Sequence, residues 1–355
     1  MSSPSIPNYM KALVVQPDKT LAVAHNHPVP TINENEVLVK TMSVALGPPD
    51  LLALKAAPSS PGLLPILGCD WAGEVMQVGT NVTTRKAGER VAGFVHGGRS
   101  AERGAFAEYV KSPADLVWPI PEALSFEEAA SMSIGTYTCV QALYHKGRLE
   151  LPLLADDVSQ KDEWVFIYGG SSSCGQYAIQ LARASGFKVV TTSSPRNFDL
   201  LRSLGATAVF DYRDPAVVDK VKAVTGDTIR YGLDAIGLSD TQELSQRIFG
   251  SEGGKLLTLM WANKTRVRED VELIFTLVHT GLGLTIDMPG AHFPASPEDT
   301  AQMVAFAATI PRLVEQGRLK PNPIRRLAGG LAAISEGLNL LEEGKVSGEK
   351  IVVVL

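Results

Sequence analysis

Seven small residues, Gly169-Gly170-Ser171-Ser172-Ser173-Cys174-Gly175, fall between a Val- and Ile-bearing run at 164–170 and an amphipathic run at 174–186. Small side chains at a strand-to-helix turn let the backbone approach a pyrophosphate, and the helix N-terminus adds free N–H groups and a favourable dipole. The match to G-x-G-x-x-G is imperfect, because Ser173 stands where a glycine is expected. About twenty residues further on, NAD sites usually carry an acid that accepts from the ribose 2′-OH. Here the stretch reads Thr191-Thr192-Ser193-Ser194-Pro195-Arg196-Asn197, with no acid. Ser194 can donate to a 2′-phosphate, and the Arg196 guanidinium suits paired, charge-assisted hydrogen bonds to it. Tyr212, which closes the next predicted strand, adds a phenol donor. This pattern predicts a preference for NADPH over NADH. The competing reading makes Ser194 a helix cap and Arg196 a solvated first-turn cation.

The elements that must position these groups follow from periodicity. Before residue 120, short Val-rich runs at 10–15, 36–46, 71–79, 90–95 and 105–110 are punctuated by GPPD (47–50) and PSSPG (58–62). That pattern predicts a β-rich, barrel-like module. Ser125 with Glu128 three residues later is a capping-box signature, opening a helix through SFEEAASMSIGTYTCVQALY. A polar loop follows at 148–162. Strands at 164–170, 188–194, 207–212, 230–237 and 254–260 then alternate with helices at 174–186, 197–205, 215–226 and 240–249. Such alternation predicts βαβ units and a parallel sheet. A helix near 330–343 and a strand at 350–355 close the chain.

Composition sets outer limits. The 355 residues are 45% hydrophobic, enough for one large or two medium cores. With a net charge of −5 and no basic run, the chain offers nothing to neutralise a row of phosphates, which argues against nucleic acid. The polar, proline-bearing start lacks a signal-peptide layout, and no apolar run approaches the ~18 residues of a membrane span. The expectation is a soluble, cytoplasmic protein with no membrane partner. Cys69, Cys139 and Cys174 include no CxxC pair, so they read as small buried hydrophobes rather than a disulfide or zinc framework.

A β-rich first module, a Rossmann unit and a returning last strand together resemble the medium-chain dehydrogenase/reductase superfamily. GCDWAGEVMQVGTNVTTRKAGERVAGF (68–94) is similar to that family's GxDxAGxVxxVGxxVxxxxxGDRV block, and GAFAEYV (104–110) follows it. The resemblance implies an α/β protein: a GroES-like β-rich barrel domain at 1–130, completed by 315–355, plus a Rossmann doubly wound parallel sheet at 131–314. Within the superfamily, YGGSSSCGQYAIQLARASG, SSPRNFDLLRSLGATAVFDYR and EEGKVSGEKIVVVL resemble the trans-acting enoyl reductases that partner fungal polyketide synthases. That likeness implies NADPH-dependent reduction of an α,β-unsaturated thioester carried by an acyl carrier protein. It places cofactor contacts at Gly47, Pro48, Pro49 and Asp50, at Gly170, Ser171, Ser172 and Ser173, and at Ser194, Pro195, Arg196 and Asn197. Further contacts fall at Tyr212, Thr258, Val346 and Ser347. The acyl channel is placed along Ser131, Met132, Ser133, Ile134, Gly135, Thr136, Tyr137 and Thr138, and along Leu277, Val278, His279, Thr280 and Gly281.

Zinc alcohol dehydrogenases share this fold but bring a Cys ligand, a Gly-His-Glu motif and a four-Cys lobe. Here Gly47-Pro48-Pro49-Asp50 and Gly68-Cys69-Asp70 stand in those places and the lobe is missing. A catalytic zinc takes about three protein ligands, and His25, His27, His96, His145, His279 and His292 show no spacing that completes a set, so no metal is expected. Conjugate reduction then rests on hydride delivery, protonation of the α-carbon and stabilisation of an enolate oxygen. The hydroxyls of Tyr137 and Thr138 suit the last task, although capping and packing explain them as well. The family's lysine two residues after the loop Asp is Leu52 here, and Lys55, three residues on, is the candidate to compensate. Two other functions stay open: a stand-alone NADPH-dependent quinone or enone reductase, and a non-catalytic cofactor-binding partner of a synthase. The oligomeric state is left between monomer and homodimer.

Overall fold

The computed structural model describes residues 6–58, 62–152, 159–260, 265–288 and 290–355. Parts of the loops read at 58–62 and 148–162 therefore lie outside the described residues. The chain divides into two compact units: 1–134 with 304–315 and 321–355, and 135–303 with 316–320. Residues 304–315 thus group with the first unit, whereas the sequence reading put all of 131–314 in the second.

The first unit begins with β1 (Tyr9–Val15) and β2 (Leu21–Pro28), which pair antiparallel. Then come β3 (Glu36–Leu46), α1 (Pro48–Ala56), β4 (Asp70–Val78), β5 (Arg90–Phe94), β6 (Tyr109–Pro113), β7 (Trp118–Pro119) and α2 (Phe126–Ala130). GPPD was read as a turn, and it is instead the start of α1. Prolines at the first helical positions forgo an N–H that would have no partner there, and the Asp50 side chain reaches back to accept from the Gly47 N–H. The Ser125–Glu128 capping box forms as expected. The helix it opens is short, however: α2 ends at Ala130, Ser131 bends the chain with its Oγ on the Glu128 carbonyl, and α3 (Ser133–Tyr144) starts afresh. Trp71, Phe106, Val37, Val39 and Leu46 fill the barrel core, each burial worth about 1.5–3 kcal/mol.

In the second unit β8 (Trp164–Tyr168), α4 (Ser173–Ala184), β9 (Lys188–Ser193), α5 (Phe198–Ser203), β10 (Ala208–Asp211) and α6 (Val217–Thr225) are followed by β11 (Tyr231–Asp234), α7 (Ser239–Ile248), β12 (Gly254–Thr258) and β13 (Val271–Phe275). These strands form one six-stranded parallel sheet in the order β10-β9-β8-β11-β12-β13. Counted from β8, this is the 3-2-1-4-5-6 order of a dinucleotide-binding fold, whose ligand crevice lies outside the strand C-termini where the order reverses. That reversal falls between β8 and β11. A small hairpin, β14 (Ile286–Met288) with β15 (Ala291–Phe293), precedes α8 (Pro297–Ala307).

The chain then returns through α9 (Ile310–Glu315), β16 (Ile324–Leu327), α10 (Ile334–Glu342) and β17 (Lys350–Val354). The last strand inserts between β16 and β3, so the first unit's seven-stranded sheet reads β16-β17-β3-β4-β5-β7, with β6 also on β3. The protein is an α/β chain: a GroES-like barrel unit and a Rossmann unit. Among the described residues, no helix is long and apolar enough to cross a membrane.

Candidate active site

At the end of β8 the chain turns through Gly169 at φ +73°, a backbone region that disfavours side chains. A Cβ on Gly170 would lie 2.2 Å from Thr191 Oγ1, and one on Gly175 would lie 2.3 Å from the Gly169 carbonyl oxygen. Ser172 caps α4, its Oγ accepting from the Gly175 N–H at 3.0 Å. Glycine is therefore required at 169, 170 and 175. With Gly170 and Gly175 as the outer glycines the missing middle one falls at Ser172 rather than Ser173, and because Ser172 caps α4 the break in the fingerprint leaves the turn's geometry intact. A cradle that leaves no room for Cβ atoms, facing the first turn of a helix, fits a pyrophosphate.

Other residues expected to contact a nucleotide lie at or beyond the C-terminal ends of the same sheet's strands. Tyr168, Asp234 and Thr258 are in register at the C-terminal ends of β8, β11 and β12. Asp234 is fully buried and spent on structure, accepting from the N–H groups of Ile236 (3.0 Å) and Gly237 (2.9 Å) and from Thr241 Oγ1 (2.6 Å). Thr258 is fully buried, with Gln242 Nε2 at 3.4 Å from its Oγ1. Beyond β9, Ser194 occupies the cap position of a short 3-10 turn, Pro195–Asn197, but its side chain makes no cap hydrogen bond. Arg196 is exposed, and among the described residues it has no carboxylate partner. The nearest acids are engaged: Asp199 with Arg202, and Asp211 with Arg213 through contacts of 3.0 and 2.9 Å. Tyr212 is 40% exposed, its ring 6.3 Å from that of Tyr168.

A buried polar network holds the 277–281 segment. Gln141, on α3, accepts from Thr276 Oγ1 at 2.6 Å and donates to Thr280 Oγ1 at 3.1 Å. Thr280 in turn meets the Asp299 carboxylate, which has His145 Nε2 at 3.1 Å. Val278, His279, Thr280 and Gly281 are all buried, and a Cβ on Gly281 would strike Met303. Tyr137 is 1% exposed, with Thr136 and Thr138 also buried beside it. Gly135 brings the start of α3 against α4, since a Cβ there would lie 3.0 Å from the Tyr177 ring.

Within the first unit a second knot forms around Asp70. Its Oδ1 accepts from the Ile134 N–H at 2.7 Å and its Oδ2 from Lys350 Nζ at 3.1 Å. Lys350 Nζ also lies 3.0 Å from where a Gly47 Cβ would stand. Asp50 Oδ2 accepts from the Gly47 N–H at 2.8 Å. Burial pushes the Asp50 carboxyl up from 3.8 to about 7, against the opposing pull of the Gly47 N–H and Lys350. Burial likewise raises the Asp70 carboxyl and, well above its usual range, the Cys69 thiol. Ser133 is anchored by Trp118 Nε1 at 3.0 Å. Ser131 and Met132 are fully buried, while Val346 and Ser347, just ahead of β17, are half-buried. Sequence pattern alone does not single out Lys350; its signal is a cation that opens an otherwise apolar strand. Lys55 stands apart from this knot, exposed and paired with Glu342 at 2.9 Å, and Leu52 is 50% exposed. Among the described residues, no three His, Cys, Asp or Glu side chains gather as a metal ion would need.

Comparison with known proteins places these features in a family. Residues 33–122 match the alcohol dehydrogenase GroES-like domain, and residues 174–278 match the zinc-binding dehydrogenase domain. The trans-enoyl reductase ACTTS2 of Alternaria alternata is 36% identical over 345 residues, spanning 96% of this chain and 98% of the relative. The chain belongs to the trans-enoyl reductases. A second member, traG of Penicillium crustosum, is 33% identical over 362 residues, spanning 99% of this chain and 98% of its own. In fold, this trans-enoyl reductase is similar to the CurK enoyl reductase crystal structure, with a TM-score of 0.75 and 20% identity over 97% of this chain and 99% of that one. Trans-enoyl reductases of this architecture are medium-chain oxidoreductases, a fold that implies a nicotinamide cofactor.

Proposed function

We propose that the chain is an NADPH-dependent enoyl reductase that acts in trans, without zinc, on an enoyl thioester carried by a polyketide synthase acyl carrier protein in secondary metabolism. Full-length kinship to trans-enoyl reductases carries the reaction type. The 2′-phosphate assignment rests on the acid-free loop after β9, where Arg196 has no carboxylate partner among the described residues and Ser194 makes no cap bond.

Gly170 to Ser173 would hold the pyrophosphate, with Ser194, Pro195, Arg196, Asn197 and Tyr212 around the 2′-phosphate end. Gly47 to Asp50, Thr258, Val346 and Ser347 would hold the remainder of the cofactor. The bound nicotinamide supplies the hydride, which leaves the protein with positioning and charge stabilisation. Ser131 to Thr136 and Leu277 to Gly281 would line the acyl chain, the second segment fixed by Gln141. Tyr137 and Thr138 offer hydroxyls to the enolate oxygen. In the role of proton source, Lys55 would have to leave Glu342.

The experiment follows NADPH oxidation with an enoyl-carrier protein, enoyl-pantetheine and a free enone. Faster turnover of the carrier-borne thioester is expected. Equal or better use of the free enone would favour a stand-alone reductase, and no oxidation with any of them would leave a cofactor-binding partner. Arg196→Ala should weaken NADPH binding by about 10–100-fold, the worth of a charge-assisted hydrogen bond, and leave NADH binding unchanged. An unaltered NADPH/NADH ratio would sink the assignment.

A further inference from the structure

We propose that Cys139 and Cys174 form a peroxide-sensitive thiol pair whose oxidation to a disulfide closes the nucleotide turn to its cofactor. Cys174 is the second residue of α4, half-buried, within the run that makes the phosphate cradle. Cys139 lies on α3 and is fully buried. Its Sγ donates to the Cys174 carbonyl oxygen at 3.0 Å, which puts the two residues in contact across the α3–α4 packing. The helices come close enough for this because Gly135 presents no Cβ to Tyr177.

The two sulfurs sit in unlike surroundings, which divides the labour. A cysteine in the first turn of a helix gains thiolate character from the exposed N–H groups and dipole, and Cys174 is reachable by a small oxidant. Burial holds the Cys139 thiol well above its usual range, so it stays protonated. In the first step the Cys174 thiolate attacks hydrogen peroxide, breaking the O–O bond and giving a sulfenic acid and hydroxide. The Cys139 sulfur then displaces the sulfenic hydroxyl, and its proton leaves with that oxygen as water. In total two thiols lose two electrons and two protons, and one peroxide becomes two waters. An S–S bond of about 2.0 Å draws the first turn of α4 toward α3, deforming the cradle at Gly170 to Ser173. By linkage, a cofactor that disfavours the disulfide must itself be disfavoured by it.

The inference rests on the nucleotide turn assigned above, and the experiment reads the two separately. Full-length protein is titrated with NADPH by fluorescence, then oxidised with hydrogen peroxide, alkylated and peptide-mapped. Expected are a linked Cys139–Cys174 peptide with Cys69 still alkylated, an NADPH Kd raised at least tenfold, and recovery with dithiothreitol. Preloading with NADPH should slow the linkage at least tenfold. Cys139→Ser should stop at the Cys174 sulfenic acid and form no disulfide. Alkylation of both cysteines in wild-type protein, at peroxide doses that oxidise Cys174 in Cys139→Ser, would overturn the pairing. A formed disulfide with unchanged NADPH affinity would overturn the closure. Failure of the unoxidised protein to bind NADPH would instead strike the nucleotide assignment.

Discussion

Replacing Asp50 with Asn should make the cofactor-free protein gain stability relative to its parent as pH rises. Asp50 is 1% exposed, and burial is the chief reason its carboxyl holds a proton to about pH 7. In the unfolded chain the same carboxyl releases its proton near 4. A carboxyl with a raised folded-state pKa contributes most below the unfolded value, and that contribution is lost as pH climbs to the folded one. At 1.36 kcal/mol per unit, the interval from 3.8 to about 7 amounts to about 4 kcal/mol, of which about 3 kcal/mol falls between pH 5 and 7. Asparagine keeps an oxygen for the Gly47 N–H and never ionises. Urea unfolding of both proteins at pH 5, 6, 7 and 8 should therefore show the Asn variant pulling ahead by about 3 kcal/mol across the series. Parallel curves would refute the argument. A variant that loses ground with rising pH would mean that Lys350 holds Asp50 ionised.

Lys350→Met should cost about 3–5 kcal/mol by leaving Asp70 buried without its cation, and adding Asp70→Asn should recover most of the loss in thermal denaturation. Gly175→Ala places a Cβ against the Gly169 carbonyl; it should cost about 1–3 kcal/mol and weaken NADPH binding measured by titration. His96 is held neutral down to about pH 4, chiefly by burial. Its unfolded counterpart takes up a proton below about 6.5, so stability should fall by up to about 3 kcal/mol as pH drops from 6.5 to 4, a slope that His96→Gln should flatten in acid titrations followed by circular dichroism.

Five of the six strands of the Rossmann sheet were legible because they are apolar-rich runs alternating with amphipathic helices, while β13 (Val271–Phe275), with no such helix before it, was not; β3 has the limits expected of it. Glycine counting misled here, since steric demand falls on Gly170 and Gly175, and the missing middle glycine is Ser172, which serves as the cap of α4. The single helix expected from Ser125 hid its break, because neither glycine nor proline marks Ser131 and Met132; a side chain bonding back to the Glu128 carbonyl ends α2 instead. Strand β2, apolar but half-buried along Leu21 to Ala24 and polar from His25 to His27, carries too little alternation to be seen. The Asp70–Lys350 pair joins residues 280 positions apart, a relation that no local pattern can encode.

The placement of β17 has a consequence for how the protein is made. Ser43 on β3 bonds to Val353, 310 residues away, so the barrel sheet is complete only after nearly the whole chain has left the ribosome. The Rossmann unit draws on 135–303 and 316–320, and its strands can pair long before that. During synthesis, at about 5–20 residues per second, β3 can pair with β4 and β6 while the edge at Ser43 to Leu46 that β17 will cover stays open. That edge invites wrong partners. Ordered synthesis, with the Rossmann strands in hand while the barrel waits for β17, leaves the barrel sheet open longer than the parallel sheet.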